Sequence, residues 1–251
     1  MAAGLMLTPL ARCQGAPGRL TFEVASIRPS TADDLNGGIK ALPGGQEYTS
    51  RNIPIKLIIS LMYKVPMRQI EGGPAWLAND RYDIEAKADH SYNVDDLHVM
   101  FQNLLADRFK LKFHKEVREG NVYALTVDKA GLKMKMNESP QDFNIPMNFS
   151  RDGVIGRRVP MVYLCWWLGQ QLQADGRPVI DKTGLAGNYD FTLTFAPVLP
   201  PDVSRDNLST ELRDRPSIFH ALKEQLGLKL TAERGPVEYY VIDSVERPSD
   251  N

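Results

Sequence analysis

Two stretches of this chain carry nearly the same pattern. GGPAWLANDRYDIEAKA, from Gly72 to Ala88, and VIDKTGLAGNYDFTLTF, from Val179 to Phe195, both contain Leu-Ala, a short polar step, Tyr-Asp and an alternating strand. Self-similarity of this kind constrains a fold more than any single motif, because each copy demands the same local structure. NIPIKLIISLMYKV (Asn52 to Val65) likewise matches RVPMVYLCWWLGQQL (Arg158 to Leu172). Pro54 and Pro160 lie 106 positions apart, and Tyr82 and Tyr189 lie 107 apart. Each proline suits the first turn of a helix, whose N–H groups have no intrahelical acceptor. Further on, LHVMFQNLLADRFKLKFHKEVREGNVYALTVD (Leu97 to Asp128) resembles SIFHALKEQLGLKLTAERGPVEYYVID (Ser217 to Asp243), with Asp128 and Asp243 115 positions apart.

Local chemistry assigns elements to these copies. Ser217 reads as a helix N-cap, Ile218, Leu222 and Leu226 recur at helical spacing, and Gly227 stops the helix. LKLTAE and VEYYVID then flank RGP, the composition of a tight hairpin connection. In the earlier copy Asp95 or Asp96 caps a helix carrying Leu97, Phe101, Leu104 and Leu105. Its strand alternates Leu111 and Phe113 with Lys110, Lys112 and His114, one face dry and one wet. The expected fold is α+β and internally duplicated: four helix-plus-β-hairpin units forming antiparallel sheet covered by helices. Residues 20–136 make the first half, 137–148 a Pro/Asn-rich joint and 149–251 the second half, with a polar insertion at 196–216 that is either mobile or functional.

Charge narrows the partners. Thirty Lys and Arg against 31 Asp and Glu leave no global field to draw the chain to nucleic acid or an anionic membrane. No stretch has the run of about 20 apolar residues that a membrane span needs. Residues 1–19 contain AAGLMLTPLA followed by RCQGAPG, which resembles the back half of a secretory signal without its basic start; the alternative is a frayed tail. Cys13 is a poor lipoprotein cysteine, because Arg12 stands where a small residue is required, and with Cys165 as its sole companion no disulfide framework is expected.

FEVASIRPS (Phe22 to Ser30), GGPAWLANDRYDIEAKA, LLADRFKLKFHKE (Leu104 to Glu116), VIDKTGLAGNYDFTLTF and GPVEYYVIDSVERPS (Gly235 to Ser249) appear in that order. Together they resemble the large family of secreted bacterial proteins, expanded in Acidobacteria of the Solibacter type, that is defined by a domain of unknown function. The resemblance spans Leu20 to Ser249 and implies secretion, but it carries no reaction, cofactor or catalytic residues. Each helix-plus-hairpin unit is also similar, on its apolar pattern alone, to the short N-terminal domains of secretins and TonB-dependent receptors, an analogy between folds.

The chain has no Gly-x-Ser-x-Gly elbow, no phosphate-binding glycine loop and no His-Glu-x-x-His helix. Asp89, His90, Asp95, Asp96 and His98 form the densest ionisable cluster, able in composition to hold calcium or zinc; a metal-bound water could then attack an ester or lactone. The competing reading is a solvated connector leading into a capped helix. Asp83 and Asp190, the repeated Tyr-Asp aspartates, are candidates for an acid and base pair across a shared cleft, or for a turn-pinning role in each copy. Tyr163 and Trp166 lie off the leucine stripe of YLCWWLGQQ, so they either pack the halves together or present a binding surface. Two functions are expected from this: a secreted or periplasmic protein that binds a small molecule or an envelope partner, or a secreted ester or lactone hydrolase assisted by a divalent cation.

Overall fold

The computed structural model describes residues 18–31, 37–150, 153–197, 204, 206 and 208–248. The expected leader up to residue 17, with Cys13, lies outside the described residues, as do 198–203, 205 and 207 of the expected insertion.

The first part of the chain runs β1 (Val24–Pro29), β2 (Gly38–Ala41), β3 (Glu47–Pro54), α1 (Ile55–Tyr63), β4 (Ile70–Gly72), α2 (Trp76–Asn79), β5 (Arg81–Lys87), α3 (Val94–Arg108) and β6 (Lys112–Val127). The second runs β7 (Lys135–Met136), β8 (Met147–Ser150), β9 (Gly153–Pro160), α4 (Met161–Gln171), β10 (Val179–Asp181), β11 (Asn188–Leu193), α5 (Thr210–Arg213), α6 (Ile218–Ala221) and β12 (Leu228–Ser244). The fold is α+β. Three four-stranded sheets have the orders β1-β5-β3-β2, β7-β11-β9-β8 and, between the two parts of the chain, β10-β6-β12-β4.

The two outer sheets repeat each other in detail. In β5, Tyr82, Ile84 and Ala86 are buried, and in β11 Tyr189, Phe191 and Leu193 are, as period-two alternation requires. α1 buries Ile55, Ile58, Ile59 and Met62, and α4 buries Met161, Leu164, Cys165 and Leu168, each 106 positions later. Pro54 and Pro160 stand at the N-cap positions of these helices, one residue earlier than their placement in the first turn. One hydrophobic core joins the three sheets to the helices. Each aliphatic side chain fully withdrawn from water there contributes about 1.5–3 kcal/mol.

The hairpins expected from RGP and its counterpart do not form. Leu228–Ser244 is one continuous strand of 17 residues, and Lys112–Val127 is one of 16. They pair antiparallel along their whole length, with Gly120 opposite Gly235. Gly120 and Gly235 are matched in the sequence at the interval of 115, so the long strands of the two matched segments pair with each other. A hairpin would have satisfied the same backbone groups locally, but the glycine serves a different need. A Cβ on Gly120 would come within 2.9 Å of Val237 Cγ2, so the Val237 side chain packs over the glycine in the space a side chain would need. The outer members of this sheet also cross over: β4 pairs parallel with β12, and β10 pairs parallel with β6. Residues on either side of the expected joint at 137–148 therefore build one sheet together.

The caps differ from expectation in one place. Ser217 does cap its helix, accepting from the His220 N–H, and the last turn (Leu222–Leu226) widens to π-helical before Gly227 closes it in the left-handed region. For α3 the N-cap is Asn93, not Asp95 or Asp96. Its side chain accepts from the Asp96 N–H at 2.9 Å, and its amide donates to Asp96 Oδ2 at 2.7 Å.

Candidate functional site

Asp83 and Asp190 have the same local role in separate sheets. In β3 the two residues Arg51 and Asn52 oppose the single residue Asp83, and in β9 Arg157 and Arg158 oppose Asp190. Both are β-bulges. Asn52 and Arg158 take positive φ, 55° and 50°. This conformation costs a non-glycine residue about 1–2 kcal/mol. The Asn52 N–H donates to Asp83 Oδ1 and the Arg158 N–H to Asp190 Oδ1, both at 2.9 Å. Asp190 is partly buried, which raises its pKa. The Arg158 N–H, the Asn137 amide and Arg157 outweigh that and hold the carboxyl below its usual range. Each aspartate is thus bound to the backbone of its own sheet.

Of the five residues of the candidate metal cluster, Asp89 and His90 pair with each other at 3.1 Å, while Asp96 and His98 have partners elsewhere. Asp89 and His90 are on the surface, with Asp89 accepting from Tyr92 and the His90 and Tyr92 rings tilted at 33° with centres 4.0 Å apart. Asp96 is bound to the α3 cap. His98 is buried at 4% exposure, its Nε2 2.9 Å from Tyr48 Oη and its Nδ1 3.0 Å from Lys64 Nζ. Among the described residues no group of three His, Cys, Asp or Glu is arranged to hold a metal ion. His114, which alternation assigns to a wet face, is exposed between Asp243 and Glu116, and these carboxylates raise its pKa.

Lys64 ends α1 in the left-handed conformation, φ 54°. The residue as a whole is partly exposed, yet its ammonium turns inward to the Leu61 carbonyl at 2.6 Å and to His98. Burial pulls its pKa down to about 8, against a smaller opposing effect of Asp95. Burial, then the neighbouring Lys64, push His98 well below the ordinary imidazole value, so His98 is neutral at pH 7. An ammonium can only donate; with Lys64 charged, His98 Nδ1 accepts and its Nε2 carries the proton toward Tyr48.

Tyr163 and Trp166 meet this cluster from α4. Tyr163 is buried, with Lys64 Nζ 5.4 Å from its ring centre, while Trp166 Nε1 donates to Ser60 Oγ on α1 at 3.1 Å. Tyr163 packs the two parts of the chain together, and Trp166 does so at its N–H while one side of its ring remains partly exposed.

That side lines a groove of about 410 Å³ where the two parts of the chain meet. The first part contributes Tyr63, Val65, Pro66, Gln69 and Lys115; the second contributes Val162, Trp166, Ile180, Val237 and Tyr240 among others. Gln69 is 8% exposed; its Nε2 donates to the Glu238 carbonyl at 2.7 Å, and its Oε1 has no partner among the described residues. Cys165 also lines the groove, its thiol pushed up to about 12 by burial and so held un-ionised. A larger concavity of about 470 Å³ lies against the first sheet, but its rim charges Arg51 and Glu85 face each other at 3.5 Å in solvent. Sequence reasoning found Trp166 through its position off the leucine stripe. It missed Gln69, Lys64 and Tyr48, whose environment comes from distant segments.

The fold and groove define an α+β protein with a central sheet built jointly by the two parts of its chain and a mixed apolar and polar groove above that junction. Residues 56–245, more than half of the chain, match the model of a family described as protein of unknown function, DUF3738, and the chain belongs to that family. No curated protein and no solved structure matches it.

Proposed function

We propose that this is a binding protein of the cell envelope, secreted or periplasmic, whose ligand sits in the groove between two duplicated halves. The observation that carries the reading is the groove itself: about 410 Å³, within the range of small-molecule sites, and walled by both halves with the partly exposed ring of Trp166. The duplication is supported by the matching strand orders of the outer sheets, the paired aspartate bonds at the two bulges, and the meeting of Gly120 with Gly235. Duplication explains why a site should form at the junction. Two copies related by an approximate two-fold axis bring unlike residues together there, Ser60 against Trp166 for example.

Binding is preferred to metal-assisted hydrolysis of an ester or lactone. The imidazole which that chemistry would draw on, His98, is enclosed with Tyr48 and Lys64, and His90 is on the surface.

Titration with the uncharged dye N-phenyl-1-naphthylamine tests the site. One saturable site is expected, weakened at least tenfold by Val162→Glu, an exposed valine on the groove wall, and retained in Val24→Glu, on the first sheet's concavity. The opposite pattern would move the binding surface to the first sheet. Fractionation of cells expressing the full chain tests location, and recovery in the cytoplasm would refute an envelope role.

A further inference from the structure

We propose that the outer edge of β6 pairs antiparallel with the same edge of a second molecule of this protein, about a two-fold axis at Val117, so that two central sheets join into one.

The edge is open. β6 pairs with β12 from Lys112 to Val127, but on its other side β10 covers only Tyr123 to Leu125. Among the described residues no strand pairs with that side between Lys112 and Asn121. The ladder fixes which backbone groups point outward. The Tyr123 N–H donates to the Pro178 carbonyl and the Leu125 carbonyl accepts from the Lys182 N–H, so these residues turn their backbone groups away from β12. The register with β12 has no shift from Phe113 to Val127, and alternation therefore turns Lys115, Val117 and Glu119 outward as well. The facing strand agrees. Glu238, opposite Val117, presents its carbonyl outward to Gln69, and Pro236, opposite Glu119, has no N–H to give to β6.

A bare edge invites pairing, and proteins guard such edges with proline or with charge. β12 is guarded: β4 covers Tyr240 to Ile242, and Pro236 stands among its outward positions. β6 carries charge instead, in the order Lys115, Glu116, Val117, Arg118, Glu119. That order is its own complement. When the strand meets itself antiparallel with Val117 opposite Val117, Lys115 faces Glu119 and Glu116 faces Arg118 on both sides of the axis. Moving the axis to Glu116 or Arg118 would set like charges together and bring inward-facing backbone groups to the join.

Val117 is 66% exposed, more than any other large apolar side chain among the described residues, and pairing covers it. Lys115 bonds Glu238 within its own protomer and Arg118 bonds Glu116 and Glu71, while Glu119 has no side-chain bond or ion pair among the described residues. A carboxylate accepts several donors and an ammonium has three, so the new pairs add to the existing ones. The interface is short, and the dimer is therefore a reversible one. Lys115 lines the groove and shares a sheet face with Val117; an axis perpendicular to the sheet keeps that face common to both protomers, so both grooves come to one side of the joined sheet.

Sedimentation velocity of the full chain over about a hundredfold range of concentration tests the pairing, and a monomer–dimer equilibrium is expected. Glu119→Lys sets like charges opposite each other, as does Lys115→Glu, and each should weaken the dimer about tenfold or more. An equimolar mixture of the two variants restores both opposite-charge pairs and should dimerise as the unaltered protein does. Simple damage to the fold would not be repaired by mixing. Val117→Pro removes an outward N–H that no strand of the described residues accepts, and it should abolish the dimer with the far-UV circular dichroism unchanged. A monomer at every concentration would overturn the proposal. So would a dimer that Glu119→Lys and Val117→Pro both leave intact, which would place the contact elsewhere, or a mixture that stays monomeric. If Lys115→Glu does not fold, Glu119→Lys and Val117→Pro decide the question.

Discussion

The Trp166 indole N–H donates to Ser60 Oγ at 3.1 Å, and 106 positions separate these residues, the same interval that separates Pro54 from Pro160. Gly120 and Gly235, matched at the interval of 115, meet in the same way in the central sheet. Both contacts thus join positions matched in the sequence, and Trp166 also lines the groove.

The Ser60 hydroxyl accepts from Trp166 and also from the Gln170 amide at 3.2 Å, and Ser60 is fully buried. Ser60→Ala should destabilise the protein by about 1–2 kcal/mol, since two donors lose their acceptor. Trp166→Phe alone should cost less in hydrogen bonding, and a double-mutant cycle read by urea denaturation should give a coupling of about 1 kcal/mol. Additive effects would mean that the bond contributes nothing between the halves.

Asp83→Ala and Asp190→Ala each remove the carboxylate that binds a bulge N–H, and each is expected to lower stability by about 1–3 kcal/mol. Dye binding at the groove should be unchanged in both. A variant that folds with full stability yet loses binding would return these aspartates to a functional role.

Lys64 makes stability depend on pH. Its pKa falls from 10.5 in the unfolded chain to about 8 in the folded one, so between these values the unfolded chain holds more protons and stability rises with pH. The penalty of enclosing the ammonium is complete below pH 8 and is relieved as pH climbs toward 10. The gain is at most about 3 kcal/mol, reduced by the partial exposure of Lys64. Above pH 10 the trend should reverse, because Tyr48 ionises freely when unfolded while burial, with a smaller effect of Tyr163, raises its pKa in the fold. Urea denaturation across pH 7 to 11 measures both limbs, and Lys64→Met should flatten the first. A flat profile in the unaltered protein would show that the Lys64 ammonium is solvated.

Much of the local structure was legible in the residues. The interval of 106 gave α1 and α4 the same buried face, alternation gave β5 and β11 theirs, and Ser217 and Gly227 bounded their helix as their side-chain chemistry dictates. Asp95 and Asp96 misled because Asn93, two positions earlier, offers an equally good cap, and neighbouring residues compete for such a role.

Where the helices and strands lie, and which side chains turn inward, could be read from the residues alone. These follow from periodicity and from caps and turns, which act over a few residues. Only the tertiary structure decided how the copies join. RGP and EGN read as turns because glycine and its neighbours permit a turn, yet permitting one does not require it. The long strands gain a full ladder of hydrogen bonds by pairing with each other, and that pairing carries β4 and β10 across to opposite copies. Gln69 reaches Glu238, 169 positions away, across that junction, while Lys64 reaches His98, 34 positions away, within the first part of the chain. Burial and an unpartnered acceptor are properties of a surrounding, and for these residues the surrounding is supplied by chain that is remote in sequence.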